Sequence, residues 1–495
     1  MRPLPIAAAM LAFGACAVGP SYRPAPVVPG GTTVGVSLGT DSARAFFDSL
    51  RAARGADTVA TLTPPPAPRR LAAESLATLA WVDILHDTVL SGLINTALRQ
   101  NRDLAVSRGR IREYRALSGI AASALYPSLS LDGSVGKNQI KIGALPLVTY
   151  NAWILTANVS WKLDVWGGVR RGLQAAAADA DAQEAAADAT VLAIVSDVAT
   201  GYLELLELDD ERATAERTLA SRRATLGLAQ ERYAHGVISE LDVRQFEAQV
   251  GVPAARLAQV EQAEAAAEHA LSVLLGEPPG MVPRGMSLEQ AARVVVVPDS
   301  IPSSVLERRP DVREAEREYA AATARIGVAD ATRLPEFTIT GLYGSQALTA
   351  GAAFTPQSDI YQIQAGVSIP IVTGGRLVNT IRVAHARADE ARAAYEEVAL
   401  TALGEAADAL AAVRAARDAV AAQDTQVRAL RQAFNLAQAR YTTGVASYLE
   451  VLDAERSLFD AEIAISEARL QQLTAAVQLY KALGGAWVEA PTPGS

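Results

Sequence analysis

The sequence predicts a mostly α-helical chain, internally duplicated, that carries four β-strands of the kind that crosses a membrane. Three observations predict it. Landmarks recur at a fixed offset of 208 residues: Tyr126-Pro127-Ser128-Leu129 faces Leu334-Pro335-Glu336-Phe337, Val159-Ser160 faces Val367-Ser368, and Gly167 faces Gly375. A period this long marks one large unit made twice, not a solenoid of short repeats. Alanine-rich sequence without proline runs from Leu147 to Val252 and again from Ile371 to Ala490, and alanine costs least in a helix. Finally, segments of about ten residues alternate apolar and polar side chains, the pattern of a transmembrane strand. Alternation alone also fits a half-buried soluble sheet; the export signal, the four such strands and the lipid anchor described below favour the membrane.

At the amino terminus, Arg2 precedes the apolar run Ile6 to Phe13, too short to span a membrane as a helix, and Gly14-Ala15-Cys16 follows. Residues 1–15 are therefore expected to be a signal peptide. Small residues before a cysteine resemble a bacterial lipoprotein cleavage site, which makes Cys16 a palmitate-bearing lipid anchor. Residues 16–80, with Pro64-Pro65-Pro66 and many glycines, are expected to form an extended tether. The first repeat then covers 81–290 and the second 291–487, and 488–495 is a short tail.

Each repeat has the order helix, strand, strand, long helix, sharp turn, helix. The opening helix is expected from about Asp87 to Ala124. Strands are expected at about 127–138, 152–164, 335–345 and 360–371. Trp153, Leu155, Ala157, Val159, Trp161 and Leu163 occupy alternate places, as do Tyr361, Ile363, Ala365, Val367, Ile369 and Ile371. From Arg170 to Tyr233 a helix of about 60 residues spans about 90 Å. That exceeds any globular core, so such a helix must lie against similar neighbours in a bundle or tube.

Four strands cannot close a barrel, which needs about eight or more, and open edges are not tolerated in lipid. The chain must pool strands with copies of itself, two giving eight strands and three giving twelve with room for a channel. An oligomeric conduit follows.

Other functions are disfavoured by composition. A net charge of −9 without a basic run argues against nucleic acid. One cysteine and four scattered histidines offer neither a disulfide framework nor zinc spacing. No nucleophile elbow or phosphate-cradling glycine loop is present, so no enzyme, cofactor or metal is expected.

Several motifs together resemble the TolC/OprM outer-membrane efflux proteins. They are Gly19-Pro20-Ser21-Tyr22-Arg23-Pro24, Leu98-Arg99-Gln100-Asn101-Arg102-Asp103-Leu104, Arg308-Arg309-Pro310-Asp311-Val312, Arg440-Tyr441-Thr442-Thr443-Gly444-Val445, Leu452-Asp453-Ala454-Glu455-Arg456 and Leu479-Tyr480-Lys481-Ala482-Leu483-Gly484. The resemblance implies a homotrimer with a twelve-stranded β-barrel in the bacterial outer membrane. It continues into a twelve-helix periplasmic α-barrel with an equatorial belt. Implied partners are a periplasmic adaptor protein, an inner-membrane transporter of the RND type, and outer-membrane lipid. The implied function is passive exit duct of a tripartite efflux pump; the alternative is the exit duct of a type I protein-secretion system.

The two sharp turns are the candidate site. Gly236 and Gly444 end long helices where φ turns positive, and Ser239 and Ser447 are placed to cap the returning helices. The resemblance makes Gly236, Val237, Ser239, Gly444, Val445 and Ser447 the adaptor contact. Leu449 and Asp453 are four apart on one helix face, and three copies of Asp453 would form a ring of repelling carboxylates. The resemblance assigns Leu449 and Asp453 to a periplasmic gate, with Arg440 and Tyr441 holding it closed through bonds to carboxylates. In the first repeat the counterparts are Leu241 and Gln245, so the acid is not duplicated.

Overall fold

A computed structural model describes residues 18–22, 33–35, 87–141, 147–294, 300–302, 307–353 and 355–485. In chain order the elements are β1 (Thr33–Gly35), α1 (Thr88–Gln100), α2 (Arg102–Ser123), β2 (Ser128–Ile140), β3 (Val148–Leu163), α3 (Gly168–Ala234), α4 (Glu240–Leu275), α5 (Leu288–Val294), β4 (Ser300–Pro302), α6 (Pro310–Ala331), β5 (Glu336–Ala347), β6 (Asp359–Ser368), α7 (Arg376–Thr442) and α8 (Tyr448–Ala482). The duplication recurs in the elements: α3 and α7 have 67 residues each and begin 208 positions apart. Each is about 100 Å long at 1.5 Å per residue. The chain divides into two compact units, residues 1–25, 109–185 and 314–397, and residues 26–108, 186–313 and 398–495.

The first unit holds an antiparallel sheet in the order β2-β3-β5-β6. Its register sorts most side chains by face. Leu129, Val159, Gly341 and Ile363 form one cross-strand row, and Leu131, Ala157, Tyr343 and Tyr361 another. The opposite face carries Ser130, Asn158, Leu342 and Gln362 in one row, with Asn158 donating to Asp132 at 2.6 Å and Lys162 paired to Glu336 at 2.6 Å. One face is thus apolar and exposed, the other mostly polar, as a wall between lipid and water requires. The outer strands β2 and β6 each leave one edge unpaired among the described residues. β6 stops at Ser368, short of the expected 371, because Pro370 has no N–H to give a ladder. Beneath the sheet, α6 packs on α7 through Ala322, Ile326, Ala329, Ala384 and Ala388, small residues that let helices approach closely.

The second unit is helical. Its main core joins Leu90, Leu93 and Ile94 of α1, Val198, Tyr202 and Leu205 of α3, Leu271 and Leu275 of α4, Leu288 of α5, and Leu473 and Val477 of α8. α7 and α8 add a second cluster around Ala406, Leu410 and Leu479. Two expectations need correction here. The helix expected from Asp87 to Ala124 is two helices, divided at Asn101. Its Oδ1 accepts from the amides of Asp103 and Leu104 at 2.8 and 3.1 Å and starts α2 afresh, while its Nδ2 donates to the Leu274 carbonyl at 2.8 Å. β1 falls inside the stretch read as a tether and pairs antiparallel with β4, Val34 opposite Ile301. A three-residue strand has no alternation long enough to detect.

Candidate functional site

The two helical hairpins of the second unit end in tips of closely similar build. Gly236 (φ 70°) and Gly444 (φ 76°) take the left-handed conformation. Val237 donates its amide to the Arg232 carbonyl at 2.8 Å and Val445 to that of Arg440 at 2.9 Å, which closes each helix with a Schellman turn. A Cβ on either glycine would meet nothing within 4 Å, so the glycine is there for its backbone angle, not for space. Val237 and Val445 are exposed, and Leu241 and Leu449 are each 66% exposed. Each tip therefore presents two bare apolar side chains.

The caps differ. Ser239 makes a full capping box with Asp242, its hydroxyl oxygen accepting from the Asp242 amide. The carboxylate accepts from the Ser239 hydroxyl at 2.8 Å and from its amide at 2.9 Å, and these bonds, the hydroxyl's first, hold the Asp242 carboxyl below its ordinary range. Ser447 has the extended N-cap backbone but no side-chain cap bond, contrary to expectation. Glu450, the counterpart of Asp242, pairs instead with Arg440 at 3.8 Å. Of the expected gate residues, Leu449 and Asp453 lie one turn apart on α8. Asp453 is exposed and pairs with Arg456 at 3.0 Å. Arg440 meets the carboxylate of Glu450. Among the described residues Tyr441 meets no carboxylate: Arg232 of the first hairpin donates to its hydroxyl at 2.7 Å and lies over its ring at 5.1 Å. Edge contact to Tyr448, whose ring packs 3.9 Å from Phe246, continues this cross-hairpin cluster.

Sequence reasoning missed Arg232, although it is the 208-offset counterpart of Arg440. It also missed a buried junction above the tips. Arg222 on α3 is 2% exposed. It lies 3.5 Å from Glu455 of α8 and donates to the Gln249 carbonyl of α4 at 2.8 Å. That carbonyl is free because Pro253, four residues on within α4, has no N–H to offer it. Burial raises the Glu455 carboxyl more than Arg222 lowers it, and raises the Tyr448 hydroxyl too, with the Glu455 charge second. In the second repeat the counterparts of Arg222, Gln249 and Pro253 are Leu430, Ser457 and Ala461. The departure from the repeat was the available signal.

Cys16 lies outside the described residues. Val18 donates its amide to the Trp166 carbonyl at 2.9 Å, just past β3, and Tyr22 donates its hydroxyl to Glu316 at 3.0 Å. Gly19 packs so closely that a Cβ would collide with the Cα of Gly327, holding the segment 18–22 against α3 and α6.

Comparison with known proteins agrees with this architecture. A family model described as outer membrane efflux protein matches residues 93–277 and 301–485, two segments that begin 208 positions apart. The chain is 33% identical over 434 residues to the toluene efflux pump outer membrane protein TtgC of Pseudomonas putida, covering 86% of this chain and 89% of that one. It is 31% identical over 442 residues to the pyoverdine export outer membrane protein OpmQ of Pseudomonas putida, covering 86% and 93%. Among solved structures, the outer-membrane channel OprN superposes with a TM-score of 0.79 at 26% identity, covering 95% and 99% of the two chains. The open state of the MtrE outer membrane channel of Neisseria gonorrhoeae gives 0.78 at 27%, covering 95% and 98%. Two matched segments that span most of the chain, together with a channel-type sheet, place it: this chain belongs to the outer membrane efflux protein family.

Proposed function

We propose that the chain is the exit channel of a tripartite efflux pump, three copies closing one barrel in the outer membrane. The carrying observation is the four-stranded sheet with an apolar face and unpaired edges at β2 and β6. In lipid those edges require partners. β2 and β6 run in opposite directions in the sheet, so β6 of one copy meets β2 of the next antiparallel, and three copies give twelve strands.

The periplasmic gate is assigned to Leu449 and Asp453, with Arg440 and Tyr441 steadying the tips. The exposed valines and glycine turns, with Ser239 and Ser447, are the surface for an adaptor, which links the channel to an inner-membrane transporter. Lipidation at Cys16 would hold the amino terminus to the membrane. The relatives are named for cargoes as different as toluene and pyoverdine, and in this reading cargo selection falls to the transporter.

Single-channel conductance of the reconstituted protein tests the gate. Leu449→Ala and Asp453→Ala should each raise resting conductance; if both leave it unchanged, the gate lies elsewhere. Cys16→Ser should abolish labelling by radioactive palmitate.

A further inference from the structure

We infer that Glu207, buried between α3, α4 and α8 of the second unit, is a proton-operated lock on the packing of those helices. Glu207 is 6% exposed and has no hydrogen bond or ion pair with any described residue. Its neighbours on α3 are all provided for. Asp209 is held by Arg284 at 3.0 Å, Asp210 accepts from Ser466 of α8, and Glu211 is paired with Arg256 of α4. Arg256, the guanidinium that faces Glu207, is therefore already committed. The other charged groups facing it are the carboxylates Glu211 and Asp210 from its own helix and Glu467 from α8.

A largely buried carboxylate without protein donors, set among like charges, is costly; the protonated acid is less so. The Glu207 carboxyl is accordingly pushed up to about 7, first by burial and then by Glu211 and Glu467. An open cleft of about 500 Å³ runs between α4 and α8, and two of its lining residues, Arg256 and Glu467, are also charged groups that act on Glu207.

The sign follows from the raised value. Glu207 holds its proton more tightly in the packed layer than in an opened one. The added stability is complete below the ordinary carboxylate range and is lost as pH rises through about 7. Between pH 6 and pH 8 the equilibrium for opening this packing should rise about tenfold. The lock grips in acid and loosens in alkali. Because α8 also carries Leu449 and Asp453, its grip bears on the proposed gate, but the lock itself does not depend on that reading.

Hydrogen exchange of the full-length protein in detergent, followed by mass spectrometry at pH 6 and pH 8 and corrected for chemical exchange rates, reads the lock without reading conductance. Peptides covering 203–211 and 463–470 should open about tenfold more readily at pH 8, while a peptide covering 225–232 should not differ. Glu207→Gln, the neutral isostere, should remove the difference. Glu467→Gln, which deletes a like charge, should move the midpoint to lower pH. Equal protection at both pH values in the unmodified protein overturns the proposal. So does a tenfold difference that survives Glu207→Gln, or a midpoint that Glu467→Gln leaves in place.

Discussion

Arg222 draws three helices together through unlike bonds: an ion pair to α8, a carbonyl of α4 left free by Pro253, and the face of Phe459 at 5.9 Å. Its Nε and Nη2 find no hydrogen-bond acceptor among the described residues, so the junction is tight but incompletely satisfied. Removing the counter-charge with Glu455→Ala should cost about 3–5 kcal/mol, because a buried guanidinium is left uncompensated. A thermal melt should show a large drop, and the double change Arg222→Met with Glu455→Leu should recover most of it. At the tip, Tyr441→Phe deletes the hydroxyl that accepts from Arg232 but keeps the ring beneath it. The expected cost is about 0.5–1.5 kcal/mol, with Arg232→Ala costing more; equal melts for the two variants would assign the contact to the hydrogen bond alone.

The paired hairpins put the same turn to two uses. Both close on a left-handed glycine, and Gly236→Ala or Gly444→Ala should cost about 1–2 kcal/mol from backbone strain alone, since open space surrounds each position. The caps predict a difference. Ser239→Ala removes a capping box and should cost about 1 kcal/mol, loosening amide protection over the first turn of α4. Ser447→Ala removes no side-chain bond and should leave the first turn of α8 as it was. Equal loss of protection in both helices would mean that Ser447 caps α8 in solution. The second tip spends its acid, Glu450, on Arg440 across the turn, so its returning helix starts less firmly.

Whole-molecule assembly follows from the sheet. Its four strands have an even count and an antiparallel order, so copies join edge to edge without a parallel seam. Cysteines placed along β2 and β6, for example at Leu131 and Ile363 and neighbouring positions of the same faces, should cross-link under oxidation into a product of three chains. Cross-linking that stops at two chains, or a ladder without a closed end, would rule out the trimeric barrel. Cleavage of the cross-links should restore the single chain on a denaturing gel.

Much of this was legible in sequence because it depends on short-range periodicity. The 208-residue offset, the alternation in Trp153 to Leu163, the alanine-rich helices and the positive-φ glycines at 236 and 444 are properties of neighbouring residues. They account for most of the secondary structure and for which face of a strand meets lipid, and with the motifs they pointed to the family. Tertiary structure decided what depends on distant residues meeting. It divided the first helix at Asn101, because the amide there bonds to Leu274. It gave Tyr441 a guanidinium partner 209 positions away in place of a carboxylate, and it paired β1 with β4. It also buried Glu207 and Arg222, two charged residues that periodicity alone would assign to a solvated helix face. Burial and partner identity are set by the packing of α3 against α4 and α8, and no local pattern encodes them.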